Sequence, residues 1–158
     1  MHFKEPEALT GVAKFHELFN LPVVAKPGIP SKERIQLRIS LLEEELKELK
    51  HAIEEDDLVE VADAFADLQY VLSGAILEFG LGSKFKELFD EVQRSNMSKP
   101  CKTLDEAKKT QEYYKTQRGM DSFIEKRGDE YLVYRVGDGK VLKSVNYSAP
   151  DLKKILYK

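Results

Sequence analysis

Cysteine, histidine and tryptophan are scarce: one cysteine, three histidines and no tryptophan in 158 residues. The single thiol, Cys101, excludes an internal disulfide framework. No stretch approaches the roughly 20 apolar residues that a membrane-spanning helix requires. The opening MHFKEPEALT lacks the basic flank and apolar run of a secretory signal. The expectation is a cytoplasmic protein with no membrane partner. A net charge of -3 leaves no bulk basic field, so nucleic acid is not an expected partner either.

Bases are also missing from one place. Residues 52–83 carry eight acids and no Lys or Arg, whereas residues 1–51 carry eight of each sign and residues 84–158 carry 17 bases and 12 acids. The middle segment is therefore where a cation would go, and the net +5 of the remainder downstream can meet an anion.

With 42% hydrophobic and 34% charged residues, the chain has the composition and length of one ordinary domain able to bury a core. EPEALTGVAKFHELFNLP predicts a short helix with Pro6 in its first turn, followed by the irregular connector PVVAKPGIP. Ser31 offers an N-cap for a long helix through about Glu55, with Ile35, Ile39, Leu42, Leu46, Leu49 and Ile53 recurring at helical spacing as its core face. A charged corner, EEDD, precedes a second helix from Leu58 to about Phe79, and a third is expected over Lys84–Ser95. Thr103 and Glu106 have capping-box spacing, which predicts a helix from Leu104 to about Gln117 stopping at Gly119. The period then changes: YLVYRV and VLKSVNY, joined by GDGK, read as a hairpin on an Asp-Gly turn, and DLKKILYK as one closing helical turn. The expected architecture is a mainly α helical bundle over 1–118, with a C-terminal β-hairpin extension over 119–158 packed on it.

The acids sort by helix face. At about 100° per residue, Glu44, Glu45 and Glu48 share a partly apolar surface beside Leu37, Leu41 and Ala52, whereas Glu43 falls with Lys47, Lys50 and Glu54 on a solvated face. On the second helix Glu60, Asp63, Asp67 and Glu78 form one stripe with no base in the segment. Carboxylates on a largely apolar helix need protonation, a basic partner or a metal. An antiparallel turn near residue 56 pairs positions whose numbers total about 112, which sets Glu45 opposite Asp67. Oxygen ligands with no His or Cys among them suit a hard cation, Mg2+ with Mn2+ as the alternative. Such a set points to metal-assisted phosphoryl chemistry.

At these residues the chain resembles the MazG-like, all-α NTP pyrophosphohydrolase superfamily, which includes dimeric dUTPases and phosphoribosyl-ATP pyrophosphohydrolases. The EExxE…ExxD pattern stands as Glu44-Glu45-Leu46-Lys47-Glu48 and Glu60-Val61-Ala62-Asp63, followed by ADLQYVLSG and by EVQRSNMSK over 91–99. The resemblance implies an all-α NTP pyrophosphatase-like bundle in which Glu45, Glu48, Glu60 and Asp63 hold Mg2+. Glu44 would orient or deprotonate the attacking water, and Asn96 and Lys99 would contact nucleotide or phosphate. Other branches place the aspartate just before the Leu-x-Tyr stretch, so the fourth ligand lies between Asp63 and Asp67. The one-turn step from Glu60 favours Asp63 and leaves Asp67 on the substrate side.

The implied reaction is hydrolysis of a nucleoside triphosphate at its α–β phosphoanhydride to a monophosphate and pyrophosphate, as in housecleaning of dUTP or a non-canonical NTP. The alternatives are phosphoribosyl-ATP hydrolysis and a non-catalytic nucleotide- or metal-binding helical dimer. A homodimer is implied, with a tetramer as the larger form. His16 and His51 read as ordinary helix residues, the latter at a helix C-terminus, and Cys101 has no histidine partner in sequence.

Overall fold

The computed structural model describes residues 1–158. Six helices and one two-stranded antiparallel sheet follow in chain order. The chain divides into two compact units, residues 1–85 and 86–158.

The first unit holds α1 (Ala8–Leu18), α2 (Lys32–Glu54) and α3 (Leu58–Glu78). Pro6 lies just ahead of α1, not in its first turn. Ser31 caps α2 by accepting from the Arg34 N–H at 3.4 Å. The corner that ends α2 turns on Asp56, whose φ of 55° is left-handed, and Asp57 caps α3 by accepting from the N–H groups of Val59 and Glu60 at 2.9 and 3.1 Å. So short a corner makes α2 and α3 an antiparallel pair. The irregular connector closes the far end: the N–H groups of Val24 and Gly28 donate to the carbonyls of Leu77 and Phe79, each at 3.0 Å, satisfying acceptors that the end of α3 leaves open.

The packing face of α2 only partly matches the expected one. Ile39, Leu46 and Ile53 are 50%, 44% and 58% exposed, while Arg38, Leu49 and Ala52 are buried. Half of the expected apolar stripe therefore faces outward in the single chain, while Leu49 is buried and Ile35 and Leu42 are half-buried. The expected face was chosen by hydrophobicity, whereas the actual one carries Arg38 because Glu78 waits opposite it.

That arginine belongs to the polar centre of the unit. Glu78, 2% exposed, accepts from the Arg34 Nε at 3.0 Å and also from the terminal nitrogens of Arg34 and Arg38. His16 of α1, equally buried, bonds the Pro22 carbonyl through Nδ1 at 2.9 Å and faces the Arg38 Nη2 through Nε2 at 3.3 Å. A Cβ at Gly74 would stand 2.8 Å from the Arg38 Nη1 and 3.0 Å from His16 Nε2, so only glycine leaves room for this network.

The second unit holds α4 (Phe85–Asn96) from Lys86 onward, α5 (Leu104–Arg118), β1 (Ser122–Arg127), β2 (Glu130–Arg135) and the short α6 (Leu152–Leu156). Thr103 caps α5 by accepting from the Glu106 N–H at 3.1 Å, and Glu106 reaches back to the Lys102 N–H at 2.9 Å, one residue before the usual capping-box partner. Gly119, at φ 61°, ends the helix. The strands pair in register from Ser122↔Arg135 to Arg127↔Glu130.

The hairpin thus uses YLVYRV as expected, but with SFIEKR upstream as its partner and Gly128-Asp129 as its turn. GDGK leads only to a single bridge, Tyr134↔Val141. Cys101, Ala107, Val133 and Leu142 form the core of this unit, so the buried Cys101 is a packing residue.

Candidate active site

The antiparallel pairing of α2 and α3 carries the acids to one place. Positions totalling 112 do meet, since Arg34 bonds Glu78 and the charge of Asp67 acts on Glu45. Near the corner, the two helices enclose a cleft of about 670 Å³. Glu44, Lys47, Glu48 and His51 line it from α2, and Glu60 and Asp63 from α3. Glu55 and the capping Asp57 complete its rim.

Glu45 is not among the lining residues, although Glu44 and Glu48 on either side of it are. Its side chain is half-buried, and its Oε2 is buried with no hydrogen-bond partner. Its carboxyl is held above the usual carboxylate range, first by desolvation and then by the negative charges of Asp67, Glu48, Glu44 and Asp63. An acceptor that is buried, unbonded and surrounded by like charge is costly unless a proton or cation joins it.

The donors present fit a hard divalent cation in chemistry: carboxylate oxygens from two facing helices, one of them buried and unpartnered. As the side chains stand, no three Asp, Glu, His or Cys residues close on one point as a ligand set.

Of the eight residues singled out from sequence, Glu44, Glu48, Glu60 and Asp63 share the cleft, and Glu45 and Asp67 adjoin it through their mutual charge effect. Asn96 and Lys99 belong to the second unit. Asn96 is the exposed last residue of α4, and its carbonyl accepts from the Lys99 N–H at 3.2 Å. Glu78, placed by sequence on the α3 acid stripe, is elsewhere: two arginines of α2 neutralise it, and its carboxyl is lowered despite its burial.

Two basic residues of the cleft were missed. Lys47 was assigned to a solvated face and His51 to a helix end, yet both line the cleft. The signal was present in the spacing, since Glu44, Lys47, Glu48, His51 and Glu55 recur at three- and four-residue steps along one face of α2. Bases that meet an incoming anion therefore need not all come from downstream.

A family model described as phosphoribosyl-ATP pyrophosphohydrolase matches residues 12–96. It spans all the acids of the cleft and Asn96, and it ends before Lys99 and before the hairpin. An uncharacterized protein of Acanthamoeba polyphaga mimivirus, L479, is 31% identical over 155 aligned residues, covering 86% of this chain and 61% of that protein. The chain thus spans about three fifths of the length of this relative. With more than half of its residues matched and the acids of the cleft inside the match, the chain belongs to the phosphoribosyl-ATP pyrophosphohydrolase family, part of the MazG-like all-α NTP pyrophosphohydrolase superfamily.

Proposed function

We propose that the protein is a nucleotide pyrophosphohydrolase that uses Mg2+, or Mn2+ in its stead, to split a nucleoside triphosphate at its α–β anhydride into a monophosphate and pyrophosphate. The observation that carries this reading is the cleft between α2 and α3, with the orphaned Glu45 Oε2 among acids from both helices inside the family-matched segment.

Glu45, Glu48, Glu60 and Asp63 would hold the cation. Asp63 lines the cleft with Glu48 and Glu60, whereas Asp67 acts on Glu45 more strongly than Asp63 does; Asp63 is assigned as the fourth ligand, with Asp67 as its alternative. When bound, the cation supplies charge neutralisation for the polyphosphate, which bare carboxylates would repel. Glu44 is exposed on the cleft wall, where it can orient a water and take its proton as the water oxygen bonds to the α-phosphorus. The bond from that phosphorus to the bridging oxygen breaks, and pyrophosphate leaves. Lys47, which lines the cleft, is assigned to balance charge on the leaving group, and Asn96 and Lys99 to nucleotide and phosphate contact. The working form is a homodimer, or a tetramer built from it, because the outward apolar residues of α2 and α3 need cover.

The test is a product assay on dUTP, the canonical NTPs and dNTPs, modified triphosphates and phosphoribosyl-ATP. A nucleoside triphosphate yielding monophosphate and pyrophosphate in equal amounts supports the reading. Turnover confined to phosphoribosyl-ATP, the substrate in the family's name, would replace it with the narrower activity. Tight nucleotide binding with no product would leave a sensor or scaffold.

A further inference from the structure

The second unit has a cleft of its own, about 660 Å³, that is opposite in character to the acidic one. It lies between α5 and the segment that follows β2, beyond the residues matched by the family model. No acid lines it, although the chain as a whole carries more acids than bases. Arg118, Lys140 and Lys143 stand on it without carboxylate partners, and Arg135 adds a fourth cation held in place by Asp138. Three tyrosines, Tyr113, Tyr114 and Tyr147, give it an aromatic wall.

The cleft is built from pinned parts. The Lys143 N–H donates to the Tyr114 hydroxyl at 3.3 Å, the Val145 N–H donates to Thr110 Oγ1 at 3.1 Å, and the buried Ser144 hydroxyl donates to Glu106. These bonds fasten residues 143–145 to α5. The Lys143 ammonium sits over the ring of Tyr147, another lining residue, 4.3 Å from its centre. Tyr113 meets Tyr114 edge-on at 5.3 Å and remains 43% exposed, so part of its side chain is open to solvent.

Cations without partners call for an anion, and guanidinium and ammonium groups together suit phosphate. A partly exposed tyrosine on the cleft wall suits a flat ring, because stacking on an aromatic side chain accepts any base. The volume lies within the range of small-ligand sites. We propose that this cleft binds a nucleoside phosphate, with the phosphate at Arg118, Lys140 and Lys143 and the base against Tyr113, as a site separate from the acidic cleft and independent of its metal. The proposal does not rest on the hydrolytic reading, since it uses none of the acids.

Titration of the full-length chain with adenosine and deoxyuridine monophosphates in EDTA tests it, with inorganic phosphate and the free nucleosides as comparison probes. Saturable binding of a monophosphate is expected, at least about tenfold tighter than phosphate or nucleoside alone, as one base–tyrosine stack allows. The exposed-residue variants Lys140→Ala/Lys143→Ala and Tyr113→Ala should each weaken it about tenfold with unchanged circular dichroism. In Glu60→Gln the dissociation constant should equal that of wild type. Absence of binding, its loss in EDTA or in Glu60→Gln, or its persistence in Lys140→Ala/Lys143→Ala would overturn the proposal. Phosphate binding as tightly as the nucleotide would reduce the cleft to a plain anion site and overturn it as well.

Discussion

Glu45 and Glu78 face opposite electrostatic situations on one helix pair. An acid whose pKa is raised on folding binds more protons folded than unfolded, so Glu45 lowers stability as pH rises from its ordinary 4.5 through its raised value. Without metal, Glu45→Gln should therefore melt higher than wild type at neutral pH, and the gain should vanish below pH 4.5. The same substitution should weaken Mg2+ binding by at least about tenfold, as loss of even an outer-shell partner does; calorimetric titration checks this, and an unchanged affinity would remove Glu45 from the metal set. Glu78 has the other sign. Its carboxyl is lowered because the hydrogen bonds of Arg34 and Arg38 outweigh desolvation, so its contribution is present above 4.5 and is lost as pH falls through the lowered value. Arg38→Ala would leave part of that buried charge uncompensated, and urea denaturation should show a loss of about 3 kcal/mol.

At the scale of elements, Gly74 ties three helices together. Gly74→Ala would push its Cβ toward the Arg38 guanidinium and the His16 ring, and a loss of about 1–3 kcal/mol is expected from thermal or denaturant unfolding. Caps and breakers made these helices legible in advance. Ser31, Thr103 and Gly119 each do locally what their residue type favours, whereas Asp57, expected only as part of a charged corner, caps α3. The core face of α2 was half legible: Leu49 is buried as expected, but Ile39, Leu46 and Ile53 satisfy the helical period whether they are covered by the same chain or left outward. The hairpin was half legible. YLVYRV announced β2, but its partner SFIEKR puts Phe123 and Ile124 side by side and lacks clean alternation, while the DG pair downstream drew attention from the Gly128-Asp129 turn. The acids of the candidate site could be assembled from sequence because an antiparallel register has few free parameters. Lys47 escaped because its angle grouped it with Glu43, Lys50 and Glu54 on a face read as solvated, and His51 because it was read as a helix-end residue.

At the scale of the whole molecule, Leu58, Val59 and Phe65 are 79%, 76% and 57% exposed near the acidic cleft's own helix, alongside the outward stripe of α2. Sedimentation equilibrium at micromolar concentration should give about twice the 18.1 kDa of one chain, or four times for a tetramer. Leu46→Glu/Ile53→Glu should shift that mass to a single chain; a wild-type protein sedimenting as a monomer would contradict the dimer. No helix is long and apolar enough to cross a membrane, so these residues are not explained by a membrane span.

The most direct test of the central claim is pyrophosphate release from nucleoside triphosphates by wild type and Glu48→Ala, each with Mg2+ and with EDTA. The account predicts release by wild type with Mg2+ alone, and its loss by at least about a hundredfold in EDTA and in Glu48→Ala. Equal release in all four conditions, or full activity in Glu48→Ala, would contradict it.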